Sequence, residues 1–357
     1  MVKKPYIHLL EIILIMTLSL LTTGCYILSQ SGTFLADRIS TRSFKQVLSD
    51  PAVSDETRMF LKEVERINDF ATRYAGLKAS KNYTVYRNLN RDHLAYIVYG
   101  AGRFSFEKHM WDFPIVGSLP YKGFFKLSGA KKEQQKLIDQ KYDTWISIVD
   151  GFSSLGFFKD PLYSSMQEYS PYHLANLICH ERTHATIWVK NQIDFNEQLA
   201  SFIGEKAAEA YVRRNYGGES TEYTDIFKQK HDQELFIQAV FNLRTQLTTL
   251  YKNTALSEPA RLKEKERIIS EFKIRFAENH DKDYLTDQYS RIAELPINNA
   301  FIAIYGVYYE RMDLFSDIYT YCGEDLKTMI ELLQSFDGTE EDPVPTLQEL
   351  IASNLSQ

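Results

Sequence analysis

The sequence predicts an α+β fold that is mostly helical, in which a small antiparallel sheet is followed by a helical core. Three observations carry this prediction. Residues 55–74 place apolar side chains three and four positions apart, as an amphipathic helix does. Residues 83–150 change to short apolar runs separated by Asn, Gly and Pro, which is typical of strands. After Pro171 the pattern is helical almost to the end of the chain.

The chain begins with the residue order of a bacterial export signal. Lys3 and Lys4 precede an apolar run over residues 12–21, and small residues follow directly before Cys25. A membrane span needs about 20 apolar residues, so the run is short for one. We therefore expect cleavage before Cys25 and lipidation of its thiol, although Thr22 stands where a lipobox usually has Leu. An uncleaved anchor helix is the alternative. In both cases we expect a membrane anchor and a domain that faces outside the cytoplasm, in the cell envelope.

The predicted elements divide the chain into a few regions, and the net charge of the chain limits the classes of partner that it can bind. Three strands are predicted at residues 83–86, 95–99 and 145–149, and a helix pair with solvated charged faces is predicted at residues 235–251 and 261–276. The formal charge of -6 and the lack of a basic stripe argue against a nucleic-acid partner. The predicted regions are a signal (1–24), an N-terminal helical arm (25–80) and a main domain (81–357) that contains the sheet (81–160), two central helices (171–215) and a C-terminal helical part (220–357).

Three cysteines are present, and Cys25 is assigned to the anchor. Cys179 and Cys322 are then either two thiols or one disulfide. The sequence leaves both possibilities open.

The chemistry of the chain is concentrated in a His-Glu-Arg-Thr-His run. His180 and His184 are four residues apart, which places both imidazoles on one face of a helix, where they can share one zinc ion. Glu181 is rotated beside the metal position, so it can take a proton from the attacking water as a general base. The alternative is a pair of buried histidines that neighbouring groups satisfy.

Catalytic zinc usually has three protein ligands and one open position. Glu197 lies thirteen residues after His184, enough for a turn and a returning helix that brings its carboxylate back to the metal. Small residues at Ala200 and Gly204 favour close packing of the two helices. A capping box from Asp194 to Glu197 is the competing interpretation. Two further residues are candidates for the site: Glu205 as a contact to a ligand histidine, and His173 as a metal ligand.

These residues resemble the gluzincins, zinc peptidases with H-E-x-x-H on one helix and an N-E-x-x-A glutamate on the next. The chain is also similar to a bacterial family of predicted aminopeptidases, many of which have a lipoprotein-like N-terminus. Besides the metal helix, the matching stretches are residues 24–26, 113–117, 119–125, 153–156, 160–161, 195–197, 298–300 and 322–326, with Tyr305.

The resemblance implies a gluzincin-like zinc-peptidase core, a Zn²⁺ cofactor held by His180, His184 and Glu197, Glu181 as base, and peptides as substrates. Two departures concern the surroundings of the metal. Arg182 replaces an apolar residue that is frequent after the Glu, and Ser201 stands where many gluzincins have a second carboxylate. We expect Arg182 to point away from the metal face.

The oxyanion formed during hydrolysis needs a hydrogen-bond donor besides the metal. Tyr305 is the predicted catalytic donor, with Tyr308 or Tyr309 on the same helix as alternatives and aromatic core as the competing interpretation. Residues 145–149 form either an edge strand that pairs with the substrate or plain sheet core. No carboxylate for a substrate's free amine is identifiable. A zinc endopeptidase, another amidohydrolase of the cell envelope, and a non-catalytic metal-stabilised lipoprotein therefore remain as alternatives.

Overall fold

The computed structural model describes residues 40–89, 91, 93–113, 117–149 and 160–355. The predicted signal, the lipidated Cys25 and residues 153–156 lie outside this part of the chain.

The described residues form a mostly helical α+β fold, which confirms the predicted class. The strands are β1 (Arg42–Ser43), β2 (Val85–Arg87), β3 (Ala95–Gly102), β4 (Trp111–Phe113), β5 (Gly117–Leu119), β6 (Tyr121–Phe124), β7 (Tyr142–Val149) and β8 (Leu162–Tyr163). The helices are α1 (Phe44–Leu48), α2 (Asp55–Arg73), α3 (Leu127–Asp139), α4 (Pro171–His184), α5 (Ile193–Tyr216), α6 (Thr221–Lys252), α7 (Glu258–Asp283), α8 (Asn299–Tyr309), α9 (Met312–Tyr321), α10 (Leu326–Leu333) and α11 (Pro343–Leu355). Short 3-10 turns lie at Ser164–Glu168, Ile292–Glu294 and Gln334–Phe336.

Helix α2 is the amphipathic helix that the spacing of residues 55–74 predicts. Ser54 caps its start by accepting a hydrogen bond from the Thr57 backbone N–H. At its other end Gly76 adopts a φ of 75°, in the left-handed region that favours glycine. The apolar face of α2 packs against α4 and shares one hydrophobic core with α4 and α5.

The sheet next to the central helices is antiparallel, with the strand order β6-β3-β7. Tyr99 on β3 lies opposite Tyr121 on β6 and Trp145 on β7, so the three rings are on the same face of the sheet. Strand β7 is at an edge of this sheet, one of the two positions that the sequence left open. Two further small sheets are β1-β2-β8, in which β2 and β8 are parallel, and the pair β4-β5.

Helices α4 and α5 form the centre of the molecule. Ser170 caps α4, and Pro171 occupies its first turn, where the missing N–H is not needed. Gly204 on α5 allows the two helices to approach closely, because a Cβ at this position would lie 2.4 Å from Oδ1 of Asn176. The close packing predicted from the small residues is therefore present at Gly204.

Helices α6 and α7 form a second pair with a separate apolar core, which includes Phe236, Leu247 and Phe272. Helix α8 packs on this pair, on α5 and on strands β3 and β7. Cys179 and Cys322 are buried free thiols, so they do not form a disulfide with each other. None of the helices in the described ranges has the length and apolarity that a membrane crossing requires.

Candidate metal centre

His180 and His184 face the same side of α4, one helical turn apart. Their Nε2 atoms are 3.2 Å from each other, and their rings are nearly perpendicular, at 86°. His184 is buried and His180 is half-buried. The four-residue spacing therefore brings the two imidazoles together as predicted.

Glu197 reaches the same point from α5. Its Oε2 lies 3.4 Å from Nε2 of His180, and its Oε1 lies 3.6 Å from Nε2 of His184. The competing capping interpretation does not describe this structure, because the cap position of α5 is Gln192 and makes no side-chain capping bond. Asp194 instead forms an ion pair with Lys108, at 2.6 Å.

These three side chains form a group that could hold a metal ion, with one ligand atom from each lying within 4.8 Å of the others. Four-coordinate tetrahedral geometry with bonds of about 2.0–2.2 Å requires ligand atoms about 3.3–3.6 Å apart. The 3.2 Å between the two Nε2 atoms is close to this range, and the distances of 3.4 and 3.6 Å join each Nε2 atom to a different oxygen of Glu197. Two imidazoles and one carboxylate would leave the fourth position free for water or substrate.

The protonation states of Glu197 and His184 depend on each other. Burial by itself acts to raise the pKa of Glu197, but the two histidines outweigh it and hold that pKa well below the usual range of a carboxyl group. Burial acts to lower the pKa of His184, but the carboxylates of Glu197 and Glu181 raise it above its ordinary value. Glu197 is therefore an anion at neutral pH, as a ligand must be.

Glu181 lies beside the group rather than in it. Its side chain is 9% exposed, and its buried Oε2 has no hydrogen-bond partner. Burial raises the pKa of Glu181, the two histidines oppose this rise, and Glu197 and Asp160 add to it. A buried carboxylate with a raised pKa beside the group suits a residue that accepts and returns a proton.

The turn between α4 and α5 is fixed by reciprocal hydrogen bonds. The side-chain amide of Asn196 donates to the Val189 carbonyl at 2.7 Å, and the Val189 N–H donates to Oδ1 of Asn196 at 2.9 Å. A residue of the C-terminal part also stabilises the turn: Asp337 accepts a hydrogen bond from the Trp188 N–H. Because Asn196 precedes Glu197 directly, these bonds also fix where α5 presents its carboxylate.

Arg182 points away from the metal group, as expected, and is 1% exposed. Its guanidinium donates to the carbonyls of Asn68 and Lys78 and to the hydroxyl of Thr72, at 2.8, 2.6 and 2.7 Å. A buried charge is tolerated only when it is well hydrogen-bonded. Arg182 therefore fastens the N-terminal residues 68–78 to the helix that carries Glu181.

A comparison with protein families matches residues 28–343 to a family described as "Putative aminopeptidase". The chain belongs to this family. The match confirms the resemblance to predicted aminopeptidases and supports a peptidase that acts on peptide substrates. Comparisons with curated proteins and with solved structures found no match.

Three tyrosines of this family member are close enough to the metal group to be affected by its charges. Burial raises the pKa of Tyr99, Tyr121 and Tyr308, and the Glu197 carboxylate is the next cause for all three. Glu181 raises the pKa of Tyr121 and Tyr308 further. The three phenols therefore lie in the electrostatic field of the site and remain protonated donors.

Tyr305 occupies a different environment. Its ring packs against Phe236 and Phe301, and burial is the cause of its raised pKa, with no charged group of the metal site contributing. Its role as oxyanion donor stays a prediction, and the structure favours Tyr308, which the sequence offered as an alternative. Tyr99 and Tyr121 were missed because their position depends on the register of β3 and β6.

The other residues weighed from the sequence lie outside the group. Glu205 accepts a hydrogen bond from Gln233 at 2.7 Å instead of contacting a ligand histidine. His173 is exposed and bonds with the capping Ser170. Trp145 packs edge-on against Phe301, so this side chain of the predicted edge strand belongs to the core.

Proposed function

We propose that the chain is a zinc-dependent peptidase, of the aminopeptidase type, with His180, His184 and Glu197 as metal ligands and Glu181 as general base. The observation that carries the proposal is the convergence of two imidazoles and one carboxylate, with ligand atoms within 4.8 Å of one another and Glu181 beside them. The family supports the peptidase part of the proposal. A structural zinc site usually has four protein ligands, often cysteines. The nearest thiol, Cys179, is fully buried and is not part of the group.

A bound zinc ion would lower the pKa of water toward neutrality and polarise the scissile carbonyl. The side chains of the chain perform the remaining tasks. Glu181 accepts the proton of the attacking water and returns it to the leaving amine. Its position beside the ligand group and its raised pKa support this assignment.

The Tyr308 hydroxyl is the proposed donor to the oxyanion. Tyr308 is half-buried, and the carboxylates of Glu197 and Glu181 and the phenols of Tyr99 and Tyr121 all raise its pKa. It is thus central among the hydroxyl groups at the site. A neutral phenol held at this position stabilises negative charge on the substrate oxygen.

Whether the substrate's amine is free is a separate question. Two carboxylates in this region, Asp160 and Asp194, are already bonded to Asn82 and Lys108. This observation favours a zinc endopeptidase or other amidohydrolase as the second candidate. Comparing cleavage of free and N-blocked peptides separates the two, because blocking the amine abolishes only aminopeptidase activity.

The test of the proposed function compares wild type with Glu181→Gln. We expect both proteins to retain one zinc ion, and the variant to hydrolyse peptides at least about a hundredfold more slowly. Glu205→Gln makes the same chemical change in a half-buried glutamate of α5 outside the group, and should leave hydrolysis unchanged. Equal activity of Glu181→Gln and wild type would remove Glu181 from the mechanism.

The proposal includes a lipid anchor at Cys25 and a location in the cell envelope, supported by the residue order before Cys25. Cys25→Ser tests it. We expect the variant to lose incorporation of labelled fatty acid and to leave the membrane fraction. Retention of both would point to the uncleaved anchor helix or to another attachment.

A further inference from the structure

We propose that Tyr83 is a positioning residue for Glu181, and that its hydroxyl donates a hydrogen bond to a water molecule that in turn donates one to Oε2 of Glu181. This inference rests on the proposed function, because it concerns the residue assigned as general base. It extends the site to a segment that precedes the sheet and lies about a hundred residues before the metal helix.

The first argument is that two buried polar atoms lack partners. The Tyr83 hydroxyl and Oε2 of Glu181 are both inaccessible to solvent, and neither forms a hydrogen bond. Tyr83 is 1% exposed. Leaving a buried polar group unpaired costs about 1–3 kcal/mol, so such atoms are rare unless they serve a function. A phenol donates and a carboxylate accepts, so each atom supplies what the other lacks.

The second argument is the backbone of Tyr83. Its φ is 55°, in the left-handed region that is unfavourable for a bulky residue. Such strain persists only where the surroundings impose it, and it is concentrated at functional sites. Here the N–H of Tyr83 donates to the Asp160 carbonyl at 2.7 Å, and its carbonyl accepts from the Asn68 amide at 3.2 Å.

The third argument is that this strained position is fastened on both sides. Asn82 and Asp160 exchange two hydrogen bonds, at 2.9 and 3.1 Å, directly before Tyr83. Asn68, which holds the Tyr83 carbonyl, also accepts from Arg182, the residue after Glu181. Asn68 therefore binds both the segment that carries Tyr83 and the helix that carries Glu181.

The charges around Tyr83 agree with this arrangement. Burial is the main reason that the pKa of Tyr83 is far above its ordinary value, and the carboxylates of Glu181 and Asp160 raise it further. The phenol is therefore within electrostatic reach of Glu181 and stays protonated. Fixing Oε2 of Glu181 leaves Oε1 to accept the proton of the attacking water.

The kinetic test compares the full chain as wild type, Tyr83→Phe and Tyr211→Phe, each loaded with zinc. Phenylalanine keeps the buried ring and removes only the hydroxyl. We expect Tyr83→Phe to lower kcat about tenfold or more, the size expected for losing a hydrogen bond to a charged group, with KM and zinc content little changed. Tyr211→Phe is the matched control, because Tyr211 is a fully buried tyrosine whose hydroxyl donates to Glu63. An unchanged kcat for Tyr83→Phe would overturn the inference.

A second measurement does not depend on activity or metal. In metal-free protein with ¹³Cζ-labelled tyrosine, the Tyr83 resonance is identified as the one missing from Tyr83→Phe. We expect Glu181→Gln to shift this resonance and to leave that of Tyr211 in place. A Tyr83 resonance that does not move would contradict the hydrogen bond. If wild type hydrolyses no peptide while the resonance does shift, the proposed function fails and the contact between Tyr83 and Glu181 stands.

Discussion

Two pairs of consecutive helices dominate the molecule, and their interiors differ in chemistry. The pair α4 and α5 buries a run of polar side chains: Glu181, Arg182, Thr183, His184, Asn196, Glu197, Gln198 and Ser201. The pair α6 and α7 encloses mainly apolar residues, such as Phe236 and Leu247, and its buried polar residues are Asp232, Lys265 and His280.

Two of the three buried polar residues of the second pair have clear structural partners. Asp232 accepts hydrogen bonds from the backbone N–H groups of Leu285 and Thr286, both at 2.7 Å, and so holds the segment after α7. Lys265 forms an ion pair with Asp143 on β7. Both pairs contain buried atoms without a partner, on His280 in the second pair and on Glu181 and His184 in the first. The first pair differs because its buried polar groups include three side chains that could hold a metal ion.

The largest expected effect follows from replacing one carboxylate in each pair by its amide. Glu197→Gln removes a metal ligand, and we expect zinc affinity to fall by more than the roughly 10- to 100-fold typical of residues that only support a ligand. Asp232→Asn should lower the free energy of unfolding by about 1–3 kcal/mol and leave zinc affinity unchanged. Zinc titration and thermal unfolding of both variants check this. Equal zinc affinities would erase the distinction between the two pairs.

The next effect concerns helix α8, which carries one tyrosine near the metal group and another that packs against the second helix pair. The charges of the metal group act on Tyr308, whereas Tyr305 packs against Phe236 of the second pair. We expect Tyr308→Phe to lower kcat by about a hundredfold, as loss of an oxyanion donor does, and Tyr305→Phe to leave kcat unchanged. Steady-state kinetics with one peptide substrate measure both. A large loss in Tyr305→Phe alone would return the catalytic assignment to Tyr305.

The smallest effect concerns the close approach of α4 and α5. In Gly204→Ala the new Cβ would meet Oδ1 of Asn176 at 2.4 Å and Cβ of His180 at 3.2 Å, so the helices must move apart. We expect a loss of about 1–3 kcal/mol in stability. If the displaced ligands make the free energy of zinc binding less favourable by about 1.4 kcal/mol, the zinc affinity falls about tenfold. Gly123→Ala is the control, since its Cβ would have nothing within 4 Å. Equal zinc affinity in both variants would show that the helix distance does not set the site.

The parts of the site that local spacing determines were predictable from sequence. The i, i+4 rule fixes His180 and His184 on one face of a helix, and the turn length that returns α5 limits the third ligand to the region of Glu197. The amphipathic helix α2 follows from periodicity in the same way.

The remaining parts depend on contacts between distant segments. Tyr99 and Tyr121 meet because β3 and β6 pair in one register, which residue order alone does not specify. Tyr83 is held by bonds to Asn68 and Asp160, and the role of Arg182 as an anchor depends on Lys78. Tyr305 and Tyr308 are three residues apart on one helix, and the packing of α8 decides which of them faces the metal group.

The most direct test of the central claim is the X-ray absorption spectrum of zinc in the metal-loaded protein. The proposed function predicts one zinc ion per chain with nitrogen and oxygen neighbours at about 2.0–2.2 Å, including two imidazoles. Loss of one imidazole contribution in His184→Ala would assign the signal to this site. A sulfur neighbour at about 2.3 Å, or zinc that does not bind in a one-to-one ratio, would contradict the account.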